Sequence, residues 1–531
     1  MEYPPCRGGA GARYVTARVH ITLAAALLAG ALALPAGAQA ASVPGVQHLH
    51  YRFGPLTITP GTNVNTVGPI TEKPNVDGYI TKFSPNLRRL DGSIPRVDVL
   101  HLHHGVWLNI SQAPINTPFA GFRVQPFAAA GEEKTKLQFP MPYGYFNRAS
   151  DRWLMNYMIH NLTPNPDKVY LTYDVDFVPA NSALGRRMKA VRPVWMDVQA
   201  GHAYPVFDVK KGAGRNHRFT YPDQARDPYN GGPPLNEWKV DTPGTLVSTA
   251  GHVHPGGLFT DLELVRKGAN AARARRGRAA PVRGSLAHSV RLFRSVAKYW
   301  DPRGPISWDM AMTATPSNWR VRVKPGDTLR VSATYDSRRA AWYEAMGIMI
   351  VYMATDDQSG VDPFAKALPL GGQLTHGHLA ENNHHGGTGP PLVDPRTLPS
   401  APPPPNDTVN IGDFRYRAGD LSLPGAGRDP PTIRRGQSLR FVNADASKTI
   451  WHSITACRAP CNLTTGISYP LADGNAGFDS GQLGFAPSGA LPDSNPAAGR
   501  SSWNTPAPLS RGTYTYFCRV HPFMRGAFRV K

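Results

Sequence analysis

Thr515-Tyr516-Phe517-Cys518-Arg519-Val520-His521-Pro522-Phe523-Met524-Arg525-Gly526 lies close to the end of this 531-residue chain and puts a thiol, an imidazole and a thioether within seven positions. The flanking residues, Gly512–Phe517 and Gly526–Val530, alternate as strands do, so the three donors fall on a tight loop between two strands. Thiolate, imidazole and thioether together suit copper cycling between Cu(I) and Cu(II). Such a set needs a second imidazole from elsewhere. His452, within Thr449-Ile450-Trp451-His452-Ser453-Ile454-Thr455 and after the polar turn Asn443–Lys448, is the candidate. Cys518, His452 and His521 would form a trigonal plane, with Met524 as a weak axial ligand.

The N-terminus reads as a targeting segment. Arg7, Arg13 and Arg18 precede an apolar run from Ile21 to about Pro35, followed by the small-x-small pattern Ala38-Gln39-Ala40. Cleavage is expected after Ala40, with residues 1–40 as signal peptide and a secreted or extracytoplasmic protein (periplasm or cell surface). Cys6 leaves with that segment, so three of the four cysteines remain, Cys457, Cys461 and Cys518. An odd count in an oxidising compartment is explained by one disulfide, Cys457–Cys461, and one thiol, Cys518, held by a metal. The net charge of +21 is carried mostly by scattered Arg. Secretion argues against a nucleic-acid partner. The one dense run, Arg273-Ala274-Arg275-Arg276-Gly277-Arg278, reads as a solvated loop and a candidate contact for an anionic cell-surface polymer.

Gly and Pro number 52 each, only 18% of residues are charged, and short Val/Thr/Tyr/Phe runs alternate with turn residues. This is an all-β pattern. The expected organisation is a β-rich block over 45–200, a second over 201–357, a His/Pro/Gly-rich linker over 358–406, and a small β-sandwich over 407–531. His376, His378, His384 and His385 cluster in the linker without an assigned role.

The last block resembles the cupredoxins, and its loop is similar to that of amicyanin in its Cys-x-x-His-Pro-x-Met-Arg-Gly spacing. The resemblance implies a Greek-key β-sandwich with one type 1 copper, bound by His452, Cys518, His521 and Met524, that moves single electrons to or from an external donor or acceptor.

Upstream, three stretches stand out: Val99-Leu100-His101-Leu102-His103-His104-Gly105-Val106-Trp107, Gly251-His252-Val253-His254-Pro255-Gly256-Gly257, and Trp342-Tyr343-Glu344-Ala345-Met346-Gly347-Ile348-Met349-Ile350-Val351-Tyr352-Met353. On a strand His252 and His254 share one face and can grip a metal at two points. Together the stretches resemble the type II copper, ascorbate-dependent monooxygenases typified by peptidylglycine alpha-hydroxylating and dopamine beta-monooxygenases. The resemblance implies two jelly-roll-like sandwiches and two further mononuclear copper sites. His103, His104 and His160 match the first, and His252, His254 and Met346 the second, catalytic one. It also implies hydroxylation of a C–H bond of a small organic or peptide substrate by O2. Strand alternation alone pairs His101 with His103, so adjacent ligands at 103 and 104 require a bulge or strand end, and His101 is kept in reserve. The other readings are an electron-transfer protein without catalysis and an extracytoplasmic copper store or carrier.

Overall fold

Strand Ile348–Ala354 organises the larger part of the molecule. Its continuous apolar run is buried along its whole length, because it faces two cores at once. Met349, Val351 and Met353 point into one apolar cluster, while Ile348, Ile350 and Tyr352 join the other. The computed structural model describes residues 44–60, 64–116, 123–199, 205–222, 235–267, 280–281, 287–301, 304–382, 393–445, 450–459, 461, 477–484 and 501–531. The expected signal segment, the Arg273–Arg278 run, His384 and His385 lie outside them. Among the described residues the chain is all-β, with short 3-10 turns and no α-helix.

In the first sandwich, strands Thr66–Thr71, Trp153–Asn161, Leu100–Asn109 and Gln125–Gly131 form one sheet in that order. Gln47–Ile58, Asp167–Pro179 and Gly78–Arg89 pair antiparallel as the facing layer. Large aromatics fill the gap between them. Phe83 meets Trp107 edge-on at 4.8 Å, and Phe127 stacks on Tyr145 at 4.6 Å.

Strand Lys189–Asp197 bridges into the second sandwich. It pairs in parallel with Tyr143–Asn147 and antiparallel with Ile348–Ala354. Gly244–His252 lies on the other side of Ile348–Ala354. The facing sheet is Ala287–Tyr299, Gly257–Lys267 and Thr328–Asp336. Leu262, Phe293, Trp319 and Val331 fill this core.

The C-terminal sandwich has two four-stranded sheets around Val409, Phe441, Tyr516 and Phe528. The Pro-rich stretch before it is tied down. Ala401 N–H donates to Pro430 O at 3.0 Å, and Arg529 Nη2 donates to Pro395 O at 2.7 Å and Leu398 O at 2.6 Å. A free tether would not make these bonds. Cys461 and Phe517 of the C-terminal sandwich pack into the second core.

Candidate metal centres

Strands Gly512–Phe517 and Arg525–Val530 are antiparallel neighbours, and the loop between them turns Cys518 and His521 inward. Cys518, His452 and His521 have ligand atoms within 4.8 Å of one another, all buried. Cys518 Sγ lies 3.7 Å from His521 Nδ1 and 4.0 Å from His452 Nδ1. The other nitrogen of His452, Nε2, is anchored on Asp445 Oδ2 at 2.5 Å. That leaves Nδ1 as the donor facing the thiol, the arrangement expected when a second residue orients a ligating imidazole. Met524 is buried beside them and is tied to the loop by Cys518 N–H donating to Met524 O at 3.2 Å. Ser453 N–H donates to Cys518 Sγ at 3.3 Å, a bond that steadies a thiolate. Burial alone would raise the Cys518 thiol, but His521 and His452 beside it hold it well below its ordinary value. Burial likewise pulls His452 down, and Asp445 and Cys518 overcome it to raise the imidazole to about 9. The donor set fits a thiolate-bound copper. Cys457 and Cys461 form a disulfide, so Cys518 is the free cysteine of the described residues.

The second centre is built of imidazoles. His101 sits opposite His160 in the pairing of Leu100–Asn109 with Trp153–Asn161, and the register slips between Leu102 and His104. Despite this bulge at His103, His101 and His103 keep the common face that alternation gives to residues two apart. His101, His103 and His160 group with ligand atoms within 4.8 Å. His101 Nδ1–H donates to Val97 O at 2.8 Å, and His101 Nε2 is buried with no hydrogen-bond partner among the described residues. The same pattern holds for His254, whose Nδ1–H donates to Glu344 O at 2.5 Å while Nε2 is left without a partner. Glu344, at φ 52°, adopts the left-handed backbone that aims this carbonyl. Gly256, at φ 92°, closes the turn after His254, where a Cβ would come 2.3 Å from the Trp342 ring. Burial, first, and the neighbouring imidazoles push His103 and His160 well below the ordinary histidine value. His101 falls to about 4 and His104 to about 3, again mainly through burial. Neutral imidazoles are the ligating form.

The grouping differs from the expected sets in two respects. First, His104 leaves the His103–His160 group. Its Nε2 lies 3.0 Å from both Asn65 Oδ1 and Asn156 Oδ1, and it lines a cavity with His252, Glu133 and Ile348. His101 takes its place, because it lies directly opposite His160 in the sheet and two residues from His103, on the same face. Second, the two sets do not stand apart. The His103 ring is 4.2 Å from that of His160 and 4.4 Å from that of His254. The docking of the two sandwiches brings them together, and strand patterns carry no information about that docking. His252 has Nδ1 on Glu133 Oε2 at 2.9 Å and Nε2 without a partner among the described residues. Met346 is buried in the cluster of Ile348, Ile350 and Tyr352, and its backbone meets that of His254 through Tyr335, whose hydroxyl accepts from His254 N–H at 3.0 Å and from Met346 N–H at 3.1 Å and donates to Met346 O at 2.6 Å.

The two centres share a wall. One cavity is lined by His103, His160 and His254 on one side and by Trp451, Phe517, Arg519 and Val520 of the C-terminal sandwich on the other. Arg519, next to Cys518, donates to Ala341 O and pairs with Asp479 at 2.9 Å. Its guanidinium lies over the rings of Trp342 and Tyr343 at 4.5 and 4.8 Å. Strand Trp342–Ala345 thus touches the Cys518 loop through Arg519 and reaches His254 through Glu344.

Sequence reading missed Glu132, Glu133, Asp445 and Trp308. Acids at a strand end look like a solvated turn, and a ring stacked on His101 at 4.4 Å leaves no sequence mark. From the linker, His376 Nε2 meets Glu133 O at 2.5 Å and His378 Nε2 meets Asp309 Oδ2 at 2.7 Å.

No protein-family model matches the chain, and no curated protein does. Among solved structures it is similar to a purple cupredoxin from Nitrosopumilus maritimus, at 17% identity over 23% of this chain and 96% of that one, TM-score 0.14. It is similar to a reduced Cu(I) form of an amicyanin mutant, at 13% identity over 27% and 92% of the two chains, TM-score 0.14. A copper-containing nitrite reductase from Thermus scotoductus SA-01 matches at 14% identity over 54% of this chain and 55% of its own, TM-score 0.15. The cupredoxin-like character of the C-terminal sandwich rests on its two four-stranded sheets and the Cys518, His452 and His521 donor set.

Proposed function

We propose that the protein is an extracytoplasmic copper-dependent oxidoreductase, an O2-using monooxygenase that hydroxylates a C–H bond and carries its own electron-transfer domain. The observation that supports it most is the shared cavity: His103, His160 and His254 face Phe517, Arg519 and Val520, the residues around Cys518. Copper held at Cys518, His452 and His521 and at the imidazoles would supply one-electron redox chemistry and affinity for O2. The residues of the chain do the rest. Ile306, Trp308, Trp342 and Trp451 wall the cavity with apolar surface that accepts a small organic group and limits water. Asp445, Val97 O and Glu344 O hold the ligating rings in place. Met346, whose backbone is linked to that of His254 through the Tyr335 hydroxyl, is the proposed thioether ligand that favours Cu(I). The reaction balances as R–H + O2 + two electrons + two protons giving R–OH + H2O. The electrons come from an external one-electron reductant through the Cys518 centre. The Cys457–Cys461 disulfide favours an oxidising compartment.

The test is copper counting with spin resonance on the full chain, followed by O2 uptake with reductant and candidate substrates. One thiolate-type copper plus imidazole-type copper, with substrate-dependent O2 uptake, supports the enzyme. A single thiolate copper and no uptake would leave an electron carrier, and several labile Cu(I) ions without uptake would leave a copper store. Cys518→Ser should abolish the intense blue absorption and leave the imidazole copper in place; persistent colour would overturn the Cys518 assignment.

A further inference from the structure

We propose that Glu132 is a metal ligand, and that with His103 and His254 it forms a two-imidazole, one-carboxylate site for a divalent first-row cation at the seam between the two larger sandwiches. The ligand atoms of these three buried residues lie within 4.8 Å of one another. Glu132 is 1% exposed, and both its carboxylate oxygens are buried with no hydrogen-bond partner among the described residues. An isolated buried carboxylate is among the costliest groups a fold can hold, and buried charges are as a rule paired or bound to metal. Its neighbour shows the contrast, since Glu133 binds His252 Nδ1 at 2.9 Å and accepts from Gly131 N–H at 3.1 Å. His254 Nε2, buried and equally without a partner, is the complementary donor.

The backbone holds the three donors rigidly. His103 sits at the bulge of Leu100–Asn109, and Glu132 follows directly after Gly131, the residue paired with His104 in the adjacent strand. Lys134 N–H donates to Gly131 O at 3.0 Å and closes the turn that carries Glu132. His254 comes from the other sandwich, so a cation here would also cross-link the seam. Two imidazoles and one carboxylate leave coordination positions open. An anionic oxygen favours a divalent cation over Cu(I), opposite to the effect of a thioether. Glu344 O holds His254 Nδ1, so Nε2 is the single nitrogen of that ring open to a metal; the site rests on the same imidazoles as the proposed function and gives the cation at His254 a carboxylate ligand.

The test uses the full, metal-free chain carrying Cys518→Ser, so that the thiolate centre does not contribute, with and without Glu132→Gln. Zn(II) is titrated and counted, Cu(II) is followed by spin resonance, and melting is recorded with and without metal. Glu132→Gln should lose one equivalent of Zn(II) or bind it at least ~10-fold more weakly, change the Cu(II) signal, and lose part of the metal-induced rise in melting temperature. Without metal, Glu132→Gln should melt no lower than its parent, because an orphan carboxylate has been removed. Unchanged stoichiometry, affinity and Cu(II) signal would overturn the proposal. So would a metal-free variant that melts well below its parent, because Glu132 would then be a structural partner.

Discussion

The imidazoles of His103 and His254 lie 4.4 Å apart, ring centroid to ring centroid, across the seam between two β-sandwiches. Each ring comes from a different core. Two ligand sets that read as separate sites along the chain therefore form one continuous cluster, with His160 and Glu132 at its edges. In the proposed enzyme, an electron leaving the Cys518 centre would cross the wall of the cavity lined by Phe517, Arg519 and Val520.

Asp445 holds His452 from behind, and the two side chains are 6% and 0% exposed. Asp445→Asn should weaken copper binding at the Cys518 centre by about 10–100-fold, as losing an orienting partner commonly does. Equilibrium competition with a chelator, followed by the blue absorption, measures it. Unchanged affinity would mean that the loop alone positions His452.

Arg519 joins the C-terminal sandwich to strand Trp342–Ala345. Arg519→Ala would leave the Asp479 carboxylate, 1% exposed, buried without its ion pair. A loss of about 3–5 kcal/mol is expected from breaking such a pair, together with slower reduction of the imidazole copper by the Cys518 centre. Chemical denaturation reads the first effect and stopped-flow absorption the second. An unaffected transfer rate would place the electron route elsewhere.

Met346 is buried in an apolar cluster and linked to His254 through the Tyr335 hydroxyl, so packing and ligation have to be separated. Met346→Leu conserves volume and should cost less than about 1.5 kcal/mol, whereas Met346→Ala should cost about 2–5 kcal/mol. Both should abolish substrate-dependent O2 uptake and spare the blue absorption. Full uptake in the Leu variant would exclude the thioether as a ligand.

Gly131 is a close-approach position. A Cβ there would sit 2.7 Å from His252 Cε1, 2.8 Å from Glu133 Oε2 and 2.8 Å from His103 O. Gly131→Ala should destabilise by about 1–3 kcal/mol through overpacking and disturb imidazole copper while leaving the Cys518 centre intact. Calorimetry and spin resonance test the two parts. A variant as stable as the parent would show that the rings move aside freely.

Asp197, paired with Ile348 in the sheet, is fully buried and accepts from Trp195 Nε1 at 2.5 Å and Gln199 N–H at 2.6 Å. Burial raises its carboxyl from 3.8 to about 7. The folded state keeps a proton that the unfolded chain has lost between these values, so this group makes stability fall as pH rises from about 4 to about 7 and level off above. Melting temperature against pH should show this slope, and Asp197→Asn should flatten it. An equal slope in both proteins would assign it to other groups.

The Cys518, His521 and Met524 loop was legible because all three donors sit on one short segment between two alternating strands. The all-β character followed from the same alternation. The alternation that pairs His101 with His103 was in the sequence, whereas the bulge was required only for His103 and His104 as joint ligands, which the structure separates. Which histidines meet across the seam was decided only by tertiary structure. Local alternation sets the face on which a side chain lies, whereas the partner opposite depends on how whole sheets dock. Strand register within one sheet put His101 rather than His104 opposite His160, and docking set His104 beside His252 and buried Glu132 against His103 and His254. Strand periodicity is a short-range steric property of the backbone, and the packing of two apolar cores against a shared strand is a long-range one, which no window of sequence contains.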